Sequence, residues 1–163
     1  MDFAFFISFF ILQRMSELAV ARRNEKWLRS QGALEYGKGH YPFILLLHSG
    51  FLGSLIGEYL YRREPPIDLA FLALFILLLG AKIWVISSLG RYWNTKIFRI
   101  PGSNPVRSGP YRILKHPNYV IVVLEFIVAP MVFHLYYTLL IFTVLNAIML
   151  GVRIRVEERV WAQ

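Results

Sequence analysis

Long apolar runs constrain the fold of this chain more than any other feature. Of its 163 residues, 56% are hydrophobic, and most of them lie in stretches separated by polar segments. A helix that crosses the hydrocarbon core of a bilayer takes roughly 20 mostly apolar residues. We therefore predict an all-α integral membrane bundle of about five transmembrane helices. They are expected over residues 3–21 (continuing as an amphipathic helix to 28), 41–61, 67–89, 117–133 and 137–152.

The predicted helices form a single domain, because no internal repeat or linker divides the chain. Residues 1–89 hold three helices, and residues 90–163 hold a long polar loop and the last two helices. Only the short stretch "HLYY" joins those two helices, so we expect a tight helical hairpin. The first helix lacks the basic start and the small-residue cleavage site of a signal peptide, which predicts that it is retained.

Lysine and arginine are distributed unevenly among the loops. They follow the first, third and fifth predicted helices, whereas the opposite side has Arg62 and Arg63 as its main positive charges. Cytoplasmic loops of membrane proteins carry such an excess, and anionic lipids attract it. We therefore expect an external N-terminus, a cytoplasmic C-terminus and membrane lipids as partners. The net charge of +8 then needs no nucleic acid to explain it.

Several classes of site are disfavoured by the sequence. The chain has no cysteine, which rules out a disulfide, a thiolate metal site and a cysteine nucleophile. None of the histidines has a partner spacing that indicates a metal site, so we expect no metal. No G-x-G-x-x-G motif or strand-rich pattern is present, so a Rossmann-type cofactor domain is not expected.

Five ionisable residues interrupt the apolar runs. Such groups are costly at membrane depth, so they usually pair or line a polar cavity. One hypothesis is structural, with Arg14 binding Glu17 or Glu125 and locking the bundle. The other places Arg14 or Glu125 at a reaction cavity. Lys82 and Glu58 lie nearer to helix ends, and we expect them to snorkel toward water.

The stretch "GSLIG" places Gly53 and Gly57 one helical turn apart. This spacing lets two helices approach closely. It is compatible with a dimer face and equally with packing inside the bundle, and the oligomeric state stays open.

The segment "SGPYRILKHPNY" joins a basic loop to the fourth helix. His116 precedes Pro117, and a residue before proline avoids the helical region, so the helix is expected to begin at the proline. His116, Asn118 and Tyr119 then gather at a helix N-terminus, where free amides and the helix dipole favour anions. This pattern predicts a site for an anionic group such as a carboxylate.

A second charged cluster, "RIRVEERVW", follows the fifth helix. If the helix continues, Arg153 and Glu157 are four positions apart, and Arg155 and Glu158 are three apart. In a hairpin of the last two helices, this cluster lies on the same membrane side as His116. Two distant stretches are thus predicted to converge.

These two motifs, in order and around a hydrophobic hairpin, resemble those of the isoprenylcysteine carboxyl methyltransferase family of integral membrane enzymes. The resemblance covers about residues 90–161, and the first half of the chain resembles the small bacterial branch of the family. Some members of that branch accompany type III polyketide synthases and are thought to O-methylate alkylpyrones. The resemblance implies a bacterial plasma-membrane enzyme that binds its cofactor through residues 90–163, with the cofactor loop in the cytoplasm.

The resemblance also implies S-adenosylmethionine as methyl donor. Arg155 would face the methyl acceptor as the catalytic residue, and either Glu157 or Glu158 would bind the polar end of the cofactor. The other implied cofactor contacts are Pro105, Val106, Tyr111, His116, Pro117, Asn118 and Tyr119. Family members usually continue past the two glutamates with an aromatic and basic tail. This chain stops at Gln163, so we expect either a truncated chain or a site that is closed differently.

The expected function is methyl transfer from S-adenosylmethionine to an anionic oxygen, a carboxylate or an acidic enol, of a lipophilic small-molecule or lipidated acceptor. Two other enzyme classes stay open at this point. One is a membrane N-methyltransferase similar to those that act on phospholipids, and the other is an NADPH-dependent membrane enzyme similar to steroid reductases. A non-enzymatic membrane scaffold would leave the two ordered motifs unexplained.

Overall fold

The computed structural model describes residues 2–63 and 65–162. Within them the chain forms a bundle of α-helices, with one small sheet between the loops. The last two helices form the predicted hairpin, and the all-α bundle is confirmed. The elements are α1 (Phe3–Ser30), β1 (Leu34–Tyr36), α2 (Tyr41–Tyr61), α3 (Leu69–Leu89), β2 (Ile97–Arg99), α4 (Pro117–Met131) and α5 (Tyr136–Trp161).

Four helices, α1, α2, α3 and α5, are long and apolar enough to cross a membrane. The fourth helix, α4, has only 15 residues. At about 1.5 Å per residue, α4 is shorter than the roughly 30 Å hydrocarbon core. Pro130 lies one residue before its end, where a proline disfavours further helix. The last helix, in contrast, continues well beyond the predicted residue 152 and includes the charged stretch "RIRVEERVW".

Glu58 binds the beginning of α5 and does not snorkel. Its carboxylate is buried and accepts hydrogen bonds from the backbone amides of Tyr137 and Thr138, at 3.1 and 2.7 Å. The first amides of a helix have no partner within the helix, and the helix dipole favours a negative charge beside them. The snorkelling predicted for Glu58 is therefore wrong, because α5 begins where this carboxylate lies.

An aromatic core joins the helices in the half of the bundle away from the small sheet. Phe6 and Phe10 of α1, Phe51 of α2, Phe75 of α3 and Phe126 of α4 are each no more than 2% exposed. Their rings are in contact, and the rings of Phe51 and Phe126 stack with centroids 4.2 Å apart. Each of these helices therefore contributes to one continuous core.

A cluster of four charges, Arg14, Glu17, Lys82 and Glu125, links α1, α3 and α4 below this core. Glu125 is fully buried and accepts hydrogen bonds from Arg14 at 2.8 Å and from Lys82 at 2.7 Å. Arg14 and Lys82 both also pair with Glu17, at 3.1 and 2.9 Å. The charges cancel, and the structural hypothesis for Arg14 is confirmed. The prediction that Lys82 snorkels is wrong, because two carboxylates hold its ammonium inside the bundle.

The glycines of "GSLIG" do not pack inside the bundle. Gly53 and Gly57 lie on the exposed face of α2, and a Cβ atom added at either would meet no described atom of another helix or loop within 4 Å. Of the two hypotheses for this motif, packing within the bundle is therefore wrong, and a dimer face stays a hypothesis.

A two-stranded antiparallel sheet, which the sequence did not predict, joins the loop after α1 to the loop after α3. Leu34 pairs with Arg99, and Tyr36 pairs with Ile97. Lys96 reinforces the junction through an ion pair with Glu25 at 3.0 Å. Burial alone would lower the pKa of Lys96, but its hydrogen bond and ion pair with Glu25 raise it. The sheet thus ties α1 to the loop before α4.

We expect Glu125→Gln to destabilise the protein strongly. The change leaves Arg14 and Lys82 buried with too little negative charge, and breaking a buried ion pair costs about 3–5 kcal/mol. The measurement is the free energy of unfolding in detergent micelles. Glu25→Gln is the matched control, because its partners lie near the surface and such pairs contribute about 0–1 kcal/mol. Equal losses for both variants would contradict a structural role for the buried cluster.

Candidate functional site

The first cavity, termed the loop cavity, has a volume of about 450 Å³. It lies between the polar loop after α3, the first turn of α4 and the last turns of α5. Apolar and polar side chains both line it. Among the lining residues are Leu28, Trp93, Ile97, Arg99, Pro105, Val106, Tyr111, His116, Asn118, Tyr119, Arg153, Glu157 and Trp161.

The second cavity, termed the helix cavity, has a volume of about 220 Å³ and lies between α1, α2 and α5. Most of its lining surface is apolar, but Arg14, Glu17 and Lys82 of the buried charge cluster also reach it. Other lining residues are Ile11, Met15, Leu18, Tyr41, Ile44, Leu45, His48, Leu52, Val122, Asn146, Met149 and Leu150. Arg14 therefore has both predicted roles, since it holds the charge cluster together and also lines a cavity. Glu125 does not line this cavity.

Four residues line both cavities and are termed the shared wall: Trp93, Asn118, Tyr119 and Arg153. The indole nitrogen of Trp93 is buried and has no hydrogen-bond partner among the described residues. The guanidinium of Arg153 donates from Nε to the Tyr119 hydroxyl at 2.8 Å and lies over the Tyr119 ring. A cation and an unpaired donor therefore stand where the two cavities meet.

The two charged motifs converge at Glu157. Its carboxylate accepts a hydrogen bond from the Tyr119 hydroxyl and lies 3.8 Å from Nδ1 of His116. The rings of His116 and Tyr119 stack, with centroids 5.2 Å apart. The start of α4 at Pro117 and the charged end of α5 thus face each other, which agrees with the prediction that the two motifs converge.

Several buried polar atoms in the loop cavity have no hydrogen-bond partner within the described part of the chain. They are Arg99 Nε, Tyr111 Oη, His116 Nε2 and Asn118 Oδ1. Burial raises the pKa of Tyr111, and the charge of Glu157 raises it further, so this hydroxyl stays protonated and can donate. Unpaired buried polar groups cost free energy, and a bound polar ligand would relieve that cost.

Most of the predicted cofactor residues lie together in the structure. Seven line the loop cavity, and two do not. Pro117 is buried as the first residue of α4, and it sets the position of His116. Glu158 is exposed and pairs with Lys115 at 2.6 Å. The seven lining residues are Pro105, Val106, Tyr111, His116, Asn118, Tyr119 and Glu157.

Arg155 is exposed and lines neither of these two cavities, whereas Arg153 lines both. The reason is helical phase. Positions four apart, such as Arg153 and Glu157, share a face, but positions two apart point in nearly opposite directions. The role of Arg155 toward the acceptor stays a prediction, and the structure adds Arg153 as a second candidate.

Sequence reasoning missed Trp93, Arg99 and Arg153 as site residues. The spacing of Arg153 to Glu157 was a usable signal, because it places both on one helix face. Trp93 and Arg99 carried no comparable signal. Their segment is positioned by long-range contacts, including a hydrogen bond from the buried Asn24 side chain to the backbone oxygen of Trp93 at 2.7 Å.

Comparison with known proteins adds a family to this geometry. Residues 71–163 match the model of the isoprenylcysteine carboxyl methyltransferase (ICMT) family. The chain is 43% identical over 155 residues to the uncharacterized protein YpbQ of Bacillus subtilis (strain 168), covering 94% of this chain and 92% of that protein. It is also 29% identical over 151 residues to an uncharacterized protein of Haemophilus influenzae (strain ATCC 51907 / DSM 11121 / KW20 / Rd), covering 89% and 86%. No solved structure matches the chain.

The family match covers more than half of the chain and includes both motifs that build the loop cavity. Together with its long apolar helices, it identifies a multi-pass membrane protein of the methyltransferase class. The chain belongs to the isoprenylcysteine carboxyl methyltransferase family.

Proposed function

We propose that this protein transfers a methyl group from S-adenosylmethionine to an anionic oxygen, a carboxylate or an acidic enol, of a lipophilic acceptor. Family membership supports the general reaction class. The observation that carries the finer proposal is the shared wall, at which a polar cavity beside the loops meets an apolar cavity between helices. A water-soluble donor and a membrane-soluble acceptor can approach each other there from two sides.

The lining of the loop cavity fits S-adenosylmethionine. The unpaired atoms of Tyr111, His116 and Asn118 offer hydrogen bonds to its amino, carboxylate and hydroxyl groups. Glu157 offers negative charge to its cationic groups, and Val106 is one of several apolar contacts for the nucleoside. When bound, the cofactor supplies a methyl group carried on a positively charged sulfonium.

The helix cavity suits the acceptor. Its aliphatic lining lies among helices that are exposed to lipid, so an apolar tail can enter without crossing water. At the shared wall, Arg153 and the Trp93 indole can orient an anionic oxygen, because a guanidinium and a free N–H both donate hydrogen bonds. Alignment of the reacting groups is the main catalytic contribution that such a site provides.

An anionic acceptor and a cationic donor lose their opposite charges as the methyl group moves. Exclusion of water favours such a step, since water stabilises the separated charges. At the shared wall, Trp93 is buried and Tyr119 stacks on His116, which limits the access of water. A lipid amine would be a poor acceptor beside the positive charge of Arg153, which favours oxygen over nitrogen.

We further propose that the loop cavity faces the cytoplasm of a bacterial cell, with the N-terminus outside. The end of α1, the loops before α2 and α4 and the charged end of α5 together hold most of the arginines and lysines on this side, and anionic lipids favour that orientation. A fluorescent protein fused after the last residue is expected to fluoresce in intact cells. Alkaline phosphatase fused there is expected to be inactive, and an active fusion would reverse the orientation.

Arg153→Gln and Arg155→Gln form a matched pair that tests which arginine serves the acceptor. We expect Arg153→Gln to lower kcat/KM by about 100-fold, as loss of an anion-stabilising donor does, and to leave most of the cofactor affinity. The measurement is transfer of labelled methyl from S-adenosylmethionine into a lipid extract, with mass spectrometry of the product. The reverse ranking would assign the acceptor role to Arg155. A methylated amine as product would contradict an oxygen acceptor.

Glu157→Gln and Glu158→Gln test which carboxylate holds the cofactor. We expect Glu157→Gln to weaken S-adenosylmethionine binding by at least about tenfold, because hydrogen bonds to charged groups contribute about 1.5–3 kcal/mol. Glu158→Gln removes a carboxylate that lies outside the loop cavity, so the affinity of this variant for S-adenosylmethionine should stay near that of the unchanged protein. Titration calorimetry in detergent measures both. Unchanged affinity in Glu157→Gln would refute the placement of the cofactor.

A further inference from the structure

The helix cavity contains polar groups far from the shared wall that methyl transfer does not use. Asn146 of α5 is only 2% exposed and lines this cavity, yet its amide nitrogen has no partner among the described residues. An unpaired buried amide costs free energy, so a buried asparagine usually has a hydrogen-bond partner. An oxygen atom supplied by a ligand would be such a partner.

His48 of α2 lies close to the level of Asn146. The helices α2 and α5 run antiparallel, and the hydrogen bond of 2.7 Å between Ser54 and Thr138 fixes their register. Counting along both helices from this contact places residue 46 opposite Asn146 and His48 less than one turn away. Both His48 and Asn146 line the helix cavity.

The hydrogen bonding of His48 at Nδ1 defines what its other ring nitrogen, Nε2, can do. Its Nδ1 atom lies 3.0 Å from the backbone oxygen of Ile44. A carbonyl oxygen only accepts, so Nδ1 donates, and Nε2 of the neutral ring is left as an acceptor. Asn146 therefore offers a donor and His48 an acceptor, a combination that suits a hydroxyl group.

The distance from these groups to the shared wall is set by α5. Asn146 and Arg153 are seven residues apart, which corresponds to about 10 Å along a helix. Arg153 lies near the start of α2, because it lines the helix cavity together with Tyr41, the first residue of that helix. The cavity thus extends from Arg153 into the membrane and reaches Asn146 about two turns deeper.

We propose that Asn146 and His48 form a second recognition site, which binds a neutral oxygen in the body of the acceptor about 10 Å from the methylated oxygen. A hydroxyl fits best. A charged group does not, because the neighbouring cluster of Arg14, Glu17, Lys82 and Glu125 is already neutral. This inference rests on the proposed function, since it takes Arg153 as the position of the methylated oxygen.

The test compares three fatty acids as binding probes for the full chain in lipid nanodiscs. They are octadecanoic acid, its derivative with a hydroxyl at the tenth carbon, and its derivative with a hydroxyl at the second carbon. We expect the tenth-carbon hydroxyl to improve affinity about fivefold, as one or two net hydrogen bonds would. Asn146→Leu should remove that preference and leave the effect of the second-carbon hydroxyl unchanged.

Thr143→Val is the matched control. Thr143 also lies on α5, and its buried hydroxyl has no partner among the described residues, but Thr143 does not line the helix cavity. This variant should keep the fivefold preference. Equal affinities of octadecanoic acid and the tenth-carbon derivative, or no binding of either, would overturn the second site. S-adenosylmethionine binding and methyl transfer are measured separately and test the proposed function. A failure of the proposed function can thus be distinguished from the absence of the second site.

Discussion

The hydrogen-bonded charge cluster around Glu125 is the interaction on which the rest of the structure depends. A lone carboxylate at this depth would be expelled or protonated, so Glu125 requires Arg14 and Lys82 beside it. These partners come from α1 and α3, and their geometry therefore fixes how three helices pack. α4 needs this support because it is the shortest of the helices and cannot span the bilayer alone.

The position of α4 determines the candidate site. Its first turn carries His116, Asn118 and Tyr119 toward α5, and the Tyr119 hydroxyl links Arg153 to Glu157. A small axial shift of α4 would separate these groups, because each contact depends on one side chain. The charge cluster and the candidate site therefore both depend on the position of α4, along which they lie about two turns apart.

Much of this arrangement could be predicted from the sequence. Apolar runs located every helix, and the proline at position 117 marked where α4 begins. The partners that side chains find on distant parts of the chain were harder to predict. The positions of Glu58 and Lys82 near helix ends predict that they reach water, but carboxylate and amide partners elsewhere in the chain hold them inside. The three-residue strands were missed because such short segments carry little periodic signal. The sequence spacing alone, in contrast, was enough to predict that Arg153 and Arg155 lie on different faces of α5.

The neutrality of the charge cluster also explains how an apolar cavity can have charged walls. Arg14, Glu17 and Lys82 reach the helix cavity, but their charges are satisfied by one another and by Glu125. An apolar tail beside them therefore leaves no ion without a partner. Asn146 differs, because its amide nitrogen is unpaired in the same cavity. Away from the shared wall, Asn146 would thus be the group that selects along an acceptor body, while the charges hold the helices that enclose it.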